Sequence, residues 1–216
     1  MRKTIIEAVE RDKLIVIVRG VERELLIPLA DAMYKGGVRL LELTFSADGK
    51  ISDEETADRI KMLSEHLEGR MHIGAGTVLK ESQVELCAKA GGKFIISPDT
   101  NERVIKKTVE LGLVSMPGAL TPTEVQAAHN FGADFVKLFP IDSLGIPYVK
   151  AIKAPLSHIK LLAVGGIDLS NIAEYKKTGV CGFGIGSGII DKKLLSDGDF
   201  DGICELARKY VSLSKE

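Results

Sequence analysis

Hydrophobic and polar positions alternate between two textures along the chain. Short runs rich in β-branched and large apolar residues fall at 14–19, 39–45, 71–76, 93–97, 113–117, 134–139, 160–164 and 181–186. Longer segments between them, such as 23–35, 54–66, 81–90 and 123–131, repeat their apolar positions at helical spacing. Glycine closes many of these segments: Gly36-Gly37, Gly91-Gly92, Gly112, Gly132 and Gly179 each stand just before a run. A left-handed helix C-cap favours a residue without a Cβ at such places. Helix starts are read at Ser52 or Asp53, at Thr100 or Asn101, and at Thr121 before Pro122 and Glu124.

Strands that alternate with helices build a parallel sheet with crossover connections. Left open, such a sheet is doubly wound; closed, it is the α/β (β/α)8 or TIM barrel. Eight units in 216 residues leave room for little else, which favours closure, with residues 1–216 forming a single domain. Residues 4–11 are then an extra N-terminal helix covering the barrel bottom.

Composition narrows the function classes. Lys plus Arg number 29 and Asp plus Glu 30, a net charge of -1. Neither nucleic acid nor an anionic membrane is expected as a partner on that balance. No segment has the apolar length of a membrane span, and the N-terminus lacks the apolar core of a signal peptide. Cys87, Cys181 and Cys204 are widely spaced without a CxxC, so a reducing cytoplasm is expected. The histidines at 66, 72, 129 and 158 form no HxH or HExxH pattern, and no metal site is expected.

Barrel strands are apolar on both faces, so polar residues near their C-terminal ends mark the candidate site. Lys137 lies on one face of Asp134-Phe-Val-Lys-Leu-Phe-Pro140 with Phe135 and Phe139. Burial depresses a lysine pKa, and a neutral lysine can form a Schiff base with a carbonyl; a buried salt bridge is the other reading. Glu42, between leucines, suits proton transfer near neutral pH or the neutralisation of Lys137 or Arg19. Arg19 could hold a substrate carboxylate or phosphate, or pair with Glu42 or Asp99. In Gly74-Ala-Gly-Thr-Val78 the glycines would admit a ligand to the backbone and Thr77 adds a hydroxyl. The seventh run ends in Val164-Gly-Gly-Ile167 and the eighth in Gly184-Ile-Gly-Ser-Gly188. Glycine loops at those two places commonly cradle phosphate with backbone N–H groups; glycine turns relieving crowding at the barrel mouth are the alternative.

Taken in order, Val38-Arg-Leu-Leu-Glu-Leu-Thr44, Ile73-Gly-Ala-Gly-Thr-Val-Leu79, Ile96-Ser-Pro98, Met116-Pro-Gly118, Phe135-Val-Lys-Leu-Phe-Pro140 and Gly165-Gly-Ile167 resemble the 2-keto-3-deoxy-6-phosphogluconate (KDPG) / 4-hydroxy-2-oxoglutarate (KHG) aldolases over nearly the whole chain. The resemblance implies a class I lyase with no cofactor and no metal, acting on a small 2-keto acid and assembled as a homotrimer. It places the Schiff-base lysine on Lys137 and the acid/base glutamate on Glu42. Thr77 becomes the pyruvyl-carboxylate residue, and Gly165, Gly166 and Ser187 the phosphate loops. Arg19, Pro98 and Phe139 complete the implied substrate site. The implied products are pyruvate with glyceraldehyde 3-phosphate, or pyruvate with glyoxylate. Two departures bear on the substrate. Ser46 stands where phosphogluconate-specific members commonly carry arginine, and Ala163-Val-Gly-Gly166 is closer to 2-dehydro-3-deoxy-6-phosphogalactonate aldolases. Outside the resemblance, a phosphate-binding barrel isomerase or synthase would use the same glycine loops without a Schiff base.

Overall fold

The computed structural model describes residues 2–215. In chain order the elements are α1 (Arg2–Asp12), β1 (Leu14–Val18), α2 (Arg23–Lys35), β2 (Leu40–Thr44), α3 (Asp53–His66), β3 (His72–Gly76), α4 (Glu81–Lys89), β4 (Phe94–Ile96), α5 (Glu102–Glu110), β5 (Val114–Met116), β6 (Gly118–Ala119), α6 (Pro122–Asn130), β7 (Val136–Leu138), α7 (Gly145–Lys153), β8 (Leu161–Val164), α8 (Ile172–Lys176), β9 (Gly182–Ile185), α9 (Lys192–Ser196) and α10 (Phe200–Lys215).

All pairings are parallel, in the order β5-β4-β3-β2-β1-β9-β8-β7-β6. The two ends of that order are the halves of one extended segment, parted at Pro117. β5 pairs with β4, whereas β6 pairs with β7. Proline has no N–H to give a ladder, so the break falls where a donor is missing. The Pro117 carbonyl still accepts from the Lys137 N–H at 2.9 Å, and the nearly closed barrel continues across the break. The run expected at 113–117 is β5 alone; β6 follows beyond Pro117, so the sheet has nine strands where eight runs were expected.

Helix ends follow local chemistry. Ser52 caps α3 by accepting from the Glu55 N–H, and Asn101 caps α5 by accepting from Arg103 and Val104. Thr121 and Glu124 form a reciprocal capping box on α6. Gly37, Gly91, Gly112, Gly132 and Gly179 all adopt positive φ before the next strand.

The core has two layers. Outward strand residues, among them Val16, Leu41, Val136, Leu138 and Phe183, pack under the helices. Inward residues Ile15, Leu40, Phe94, Val114, Met116, Phe135 and Leu162 fill the barrel, and Ile5 and Val9 of α1 plug its N-terminal end. The period of two along each strand separates these sets. It also turns Glu42 and Lys137 inward, because their neighbours Leu41, Leu43, Val136 and Leu138 face out.

Candidate active site

Lys137 is 7% exposed and Glu42 1%, yet both lie in a barrel otherwise built of apolar side chains. They line one cavity with Ile15, Ile17, Ile96, Leu162, Val164 and Gly184. Lys137 Nζ stands 4.4 Å from the centre of the Phe139 ring, a cation–π contact on the ring face. Phe135, one step inward, is fully buried. Oε2 of Glu42 is buried without a hydrogen-bond partner. Among the described residues Lys137 and Glu42 form no direct ion pair, so neither charge is neutralised by contact.

Burial therefore dominates both groups. It raises the Glu42 pKa to about 7, against the opposing pull of the Lys137 and Arg19 charges. Burial lowers the Lys137 pKa; Glu42 opposes that shift and Arg19 adds to it. The cavity thus holds an amine whose charge is disfavoured by burial and a carboxyl able to give or take a proton near neutrality. That is the chemistry a carbonyl-attacking lysine and a proton shuttle require.

Arg19 follows β1 at the barrel mouth, where it is exposed. Its Nη2 donates to Thr77 Oγ1 at 3.2 Å rather than to Glu42 or Asp99. Thr77 has φ +55, a left-handed conformation disfavoured for a β-branched residue. Its neighbours hold it there. The Val78 N–H donates to the Ile96 carbonyl, and the Leu79 and Lys80 N–H groups donate to Gln83 Oε1 at 2.8 and 3.2 Å. Gln83 is 4% exposed, and its Nε2 donates to Asp53 Oδ1 at 2.9 Å. The backbone at 77–80 is thereby over-determined, as a strained conformation needs to be. Gln83 was not among the expected site residues. Little in the sequence signals it, because Lys80 stands three residues ahead, where a capping box has a Ser or Thr acceptor.

The glycines of the β3 motif serve a different purpose from the one expected. A Cβ on Gly74 would meet the Phe94 ring at 2.3 Å, and one on Gly76 would meet Glu42 Oε1 at 2.2 Å. These residues make room for protein side chains rather than for a ligand. In the last loop, Gly184 faces Val164 and Gly188 faces the Tyr210 hydroxyl, whereas a Cβ on Gly186 would meet nothing closer than 3.6 Å. Gly165 and Gly166 have φ of 103° and 68°. The Gly-Gly pair is needed both for this turn and for close packing on the β7–α7 loop, where a Cβ on Gly166 would lie 2.6 Å from that of Asp142. Ser187 is exposed in the loop after β9, where a Cβ on the next residue, Gly188, would lie 3.6 Å from the Ile167 carbonyl oxygen. Pro98 follows β4 half-buried, its carbonyl oxygen filling the space a Cβ on Gly118 would need. No group of three or more His, Cys, Asp or Glu among the described residues is arranged to hold a metal ion.

A family model described as KDPG and KHG aldolase matches residues 5–206. The 2-dehydro-3-deoxy-phosphogluconate aldolase of Haemophilus influenzae is 31% identical over 215 residues, 98% of this chain and 97% of its own. A probable 2-dehydro-3-deoxy-6-phosphogalactonate aldolase of Rhizobium meliloti is 37% identical, covering 86% of this chain and 85% of its own. Among solved structures, a KDPG aldolase from Legionella pneumophila, with pyruvate captured as a covalent carbinolamine intermediate, superposes with a TM-score of 0.85. That match has 27% identity and covers 98% of this chain and 99% of the other. The chain belongs to the KDPG and KHG aldolase family and is an aldolase, a carbon–carbon lyase.

Proposed function

We propose that this member of the KDPG and KHG aldolase family cleaves a 2-keto-3-deoxy-6-phospho sugar acid, and also 4-hydroxy-2-oxoglutarate, through a Schiff base on Lys137. The observation that carries the reading is the cavity shared by Lys137, its charge disfavoured by burial, and Glu42, with a pKa of about 7.

The neutral Lys137 amine adds to the C2 carbonyl and gives a carbinolamine. Loss of water leaves an iminium, which draws electrons from the C3–C4 bond. Glu42, ionised, takes the C4 hydroxyl proton, directly or through water; the bond breaks and an aldehyde departs. The remaining enamine is protonated at C3, and hydrolysis frees pyruvate and restores Lys137. The aldehyde is glyceraldehyde 3-phosphate from the phosphorylated substrate or glyoxylate from 4-hydroxy-2-oxoglutarate. Thr77 and Arg19, joined by their hydrogen bond, hold the substrate carboxylate. Phe139 covers the amine, and Pro98 lines the mouth. Gly165, Gly166 and Ser187 receive the phosphate; the backbone hydrogen bonds outside the ladders leave the N–H groups of Gly166 and Ile167 unused among the described residues. No cofactor enters the reading, because the iminium supplies the electron sink.

The test is incubation with pyruvate and borohydride followed by peptide mapping. A reduced adduct is expected on Lys137, and an adduct on another lysine would overturn the assignment. A pyruvate-coupled assay across both C4 epimers of the phosphorylated acid and 4-hydroxy-2-oxoglutarate then fixes the substrate. Ser46, Val164 and the likeness to the Rhizobium protein favour 2-dehydro-3-deoxy-6-phosphogalactonate as a second reading, and the same panel decides between them. A homotrimer in a reducing cytoplasm belongs to the same proposal. It draws on the family and on the free thiols of Cys87, Cys181 and Cys204, and light scattering checks the mass.

A further inference from the structure

Asn171 precedes α8 in the position where an asparagine ordinarily caps its own helix by accepting from the N–H groups that follow. Here it makes no such bond. Its side chain reaches back instead. Nδ2 donates to the Gly166 carbonyl at 2.7 Å, and Oδ1 accepts from the Asp168 N–H at 3.0 Å. The amide thus spans the turn after β8 with both of its ends. Asp168 adds a second tie, accepting from the Ser170 N–H at 2.8 Å.

This grip has a directional consequence. A trans peptide points its C=O and the following N–H to opposite sides. Once Asn171 holds the Gly166 oxygen, the Ile167 N–H faces away from Asn171. Glycine at 165 and 166 gives the backbone its left-handed turn, but it also makes the turn floppy, since both signs of φ are open to it. Asn171 supplies the restraint that glycine lacks.

We infer that Asn171 is a positioning residue that sets the selectivity for phosphorylated substrate, by fixing the Gly166–Ile167 peptide plane with its N–H presented to the phosphate. The inference rests on the phosphate reading of the Gly165–Gly166 loop, and the experiment separates the two. In the wild-type protein, kcat/KM is compared for a 6-phosphorylated 2-keto-3-deoxy acid and its unphosphorylated form, with inorganic phosphate as a competing probe. A preference for the phosphorylated acid and competition by phosphate are expected. Equal kcat/KM without competition would remove the phosphate reading and this inference with it.

Asn171→Asp then keeps the acceptor toward Asp168 and replaces the donor toward Gly166 with an oxygen that repels it. KM for the phosphorylated acid should rise about tenfold, with kcat, the unphosphorylated kcat/KM and pyruvate trapping on Lys137 nearly unchanged. Should Asn171→Asp unfold, Asn171→Ala and an amide-shift titration of the wild type with inorganic phosphate supply the same test. The Ile167 N–H and the Asn171 side-chain amide should move together on saturation. Unaltered selectivity in either variant, an equal loss for both substrates, or a silent Ile167 amide would overturn the inference.

Discussion

A Cβ on Gly76 would lie 2.2 Å from Oε1 of Glu42. The two residues sit on neighbouring strands, and the glutamate occupies the space that any side chain at 76 would need. Gly76 is not among the residues with positive φ, so alanine there is opposed by volume and not by backbone strain. Gly76→Ala should leave the barrel folded, displace the Glu42 carboxyl and lower kcat by about tenfold or more. Steady-state kinetics alongside a thermal melt check this; an unaltered kcat would mean that Glu42 relaxes without loss of its role.

Glu42→Gln tests the proton shuttle through pH. Cleavage needs the ionised carboxyl, so kcat/KM should climb as pH rises through about 7, the value to which burial lifts the group. The glutamine variant should lose that limb and most turnover. It should still trap pyruvate on Lys137, with the trapping midpoint moved to lower pH, because the carboxylate that raised the lysine pKa is gone. Retention of the limb in the variant would assign it to another group.

Gln83 holds the Thr77 loop through the Leu79 and Lys80 N–H groups. Gln83→Leu keeps the bulk and removes those partners, at a cost of about 1–2 kcal/mol in stability. The pyruvate concentration that half-saturates trapping on Lys137 should rise several-fold, while the pH limb of Glu42 persists. A change in melting temperature with no change in half-saturation would make Gln83 a helix cap and nothing more.

Asp12 ties the N- and C-terminal helices by accepting from Lys215 Nζ at 3.1 Å and from Arg11 at 2.6 Å. Burial alone would raise its pKa, but these hydrogen bonds and charges together hold it below 3.8. A depressed carboxylate contributes stability above its unfolded pKa and loses it as pH falls through the folded value. Asp12→Asn should therefore cost about 1.5–3 kcal/mol at neutral pH. Its gap to the wild type should close below about pH 4, as denaturant titrations at several pH values would read.

Much of this molecule was legible locally. The runs expected at 14–19 and 39–45 became Leu14–Val18 and Leu40–Thr44, and the segment 23–35 became α2 without a shift. Period two also predicted that Lys137 shares a face with Phe135 and Phe139. The break at Pro117 is local too, since a missing N–H can be read from one residue, and the expected run ended there without showing that β6 follows.

What could not be read is what stands opposite each residue. The sequence by itself determined that Gly74 and Gly76 lack side chains and that Glu42 lies between leucines in a strand. Only the tertiary structure decided that Phe94 and Glu42 fill the space above those glycines, because these neighbours come from other strands whose register is set by closure of the whole barrel. The same holds for Asn171. Its identity marks a helix start, a property of its own few residues. That its amide turns back to Gly166 instead is decided by the folded turn after β8, because the same few residues would equally allow it to cap its own helix.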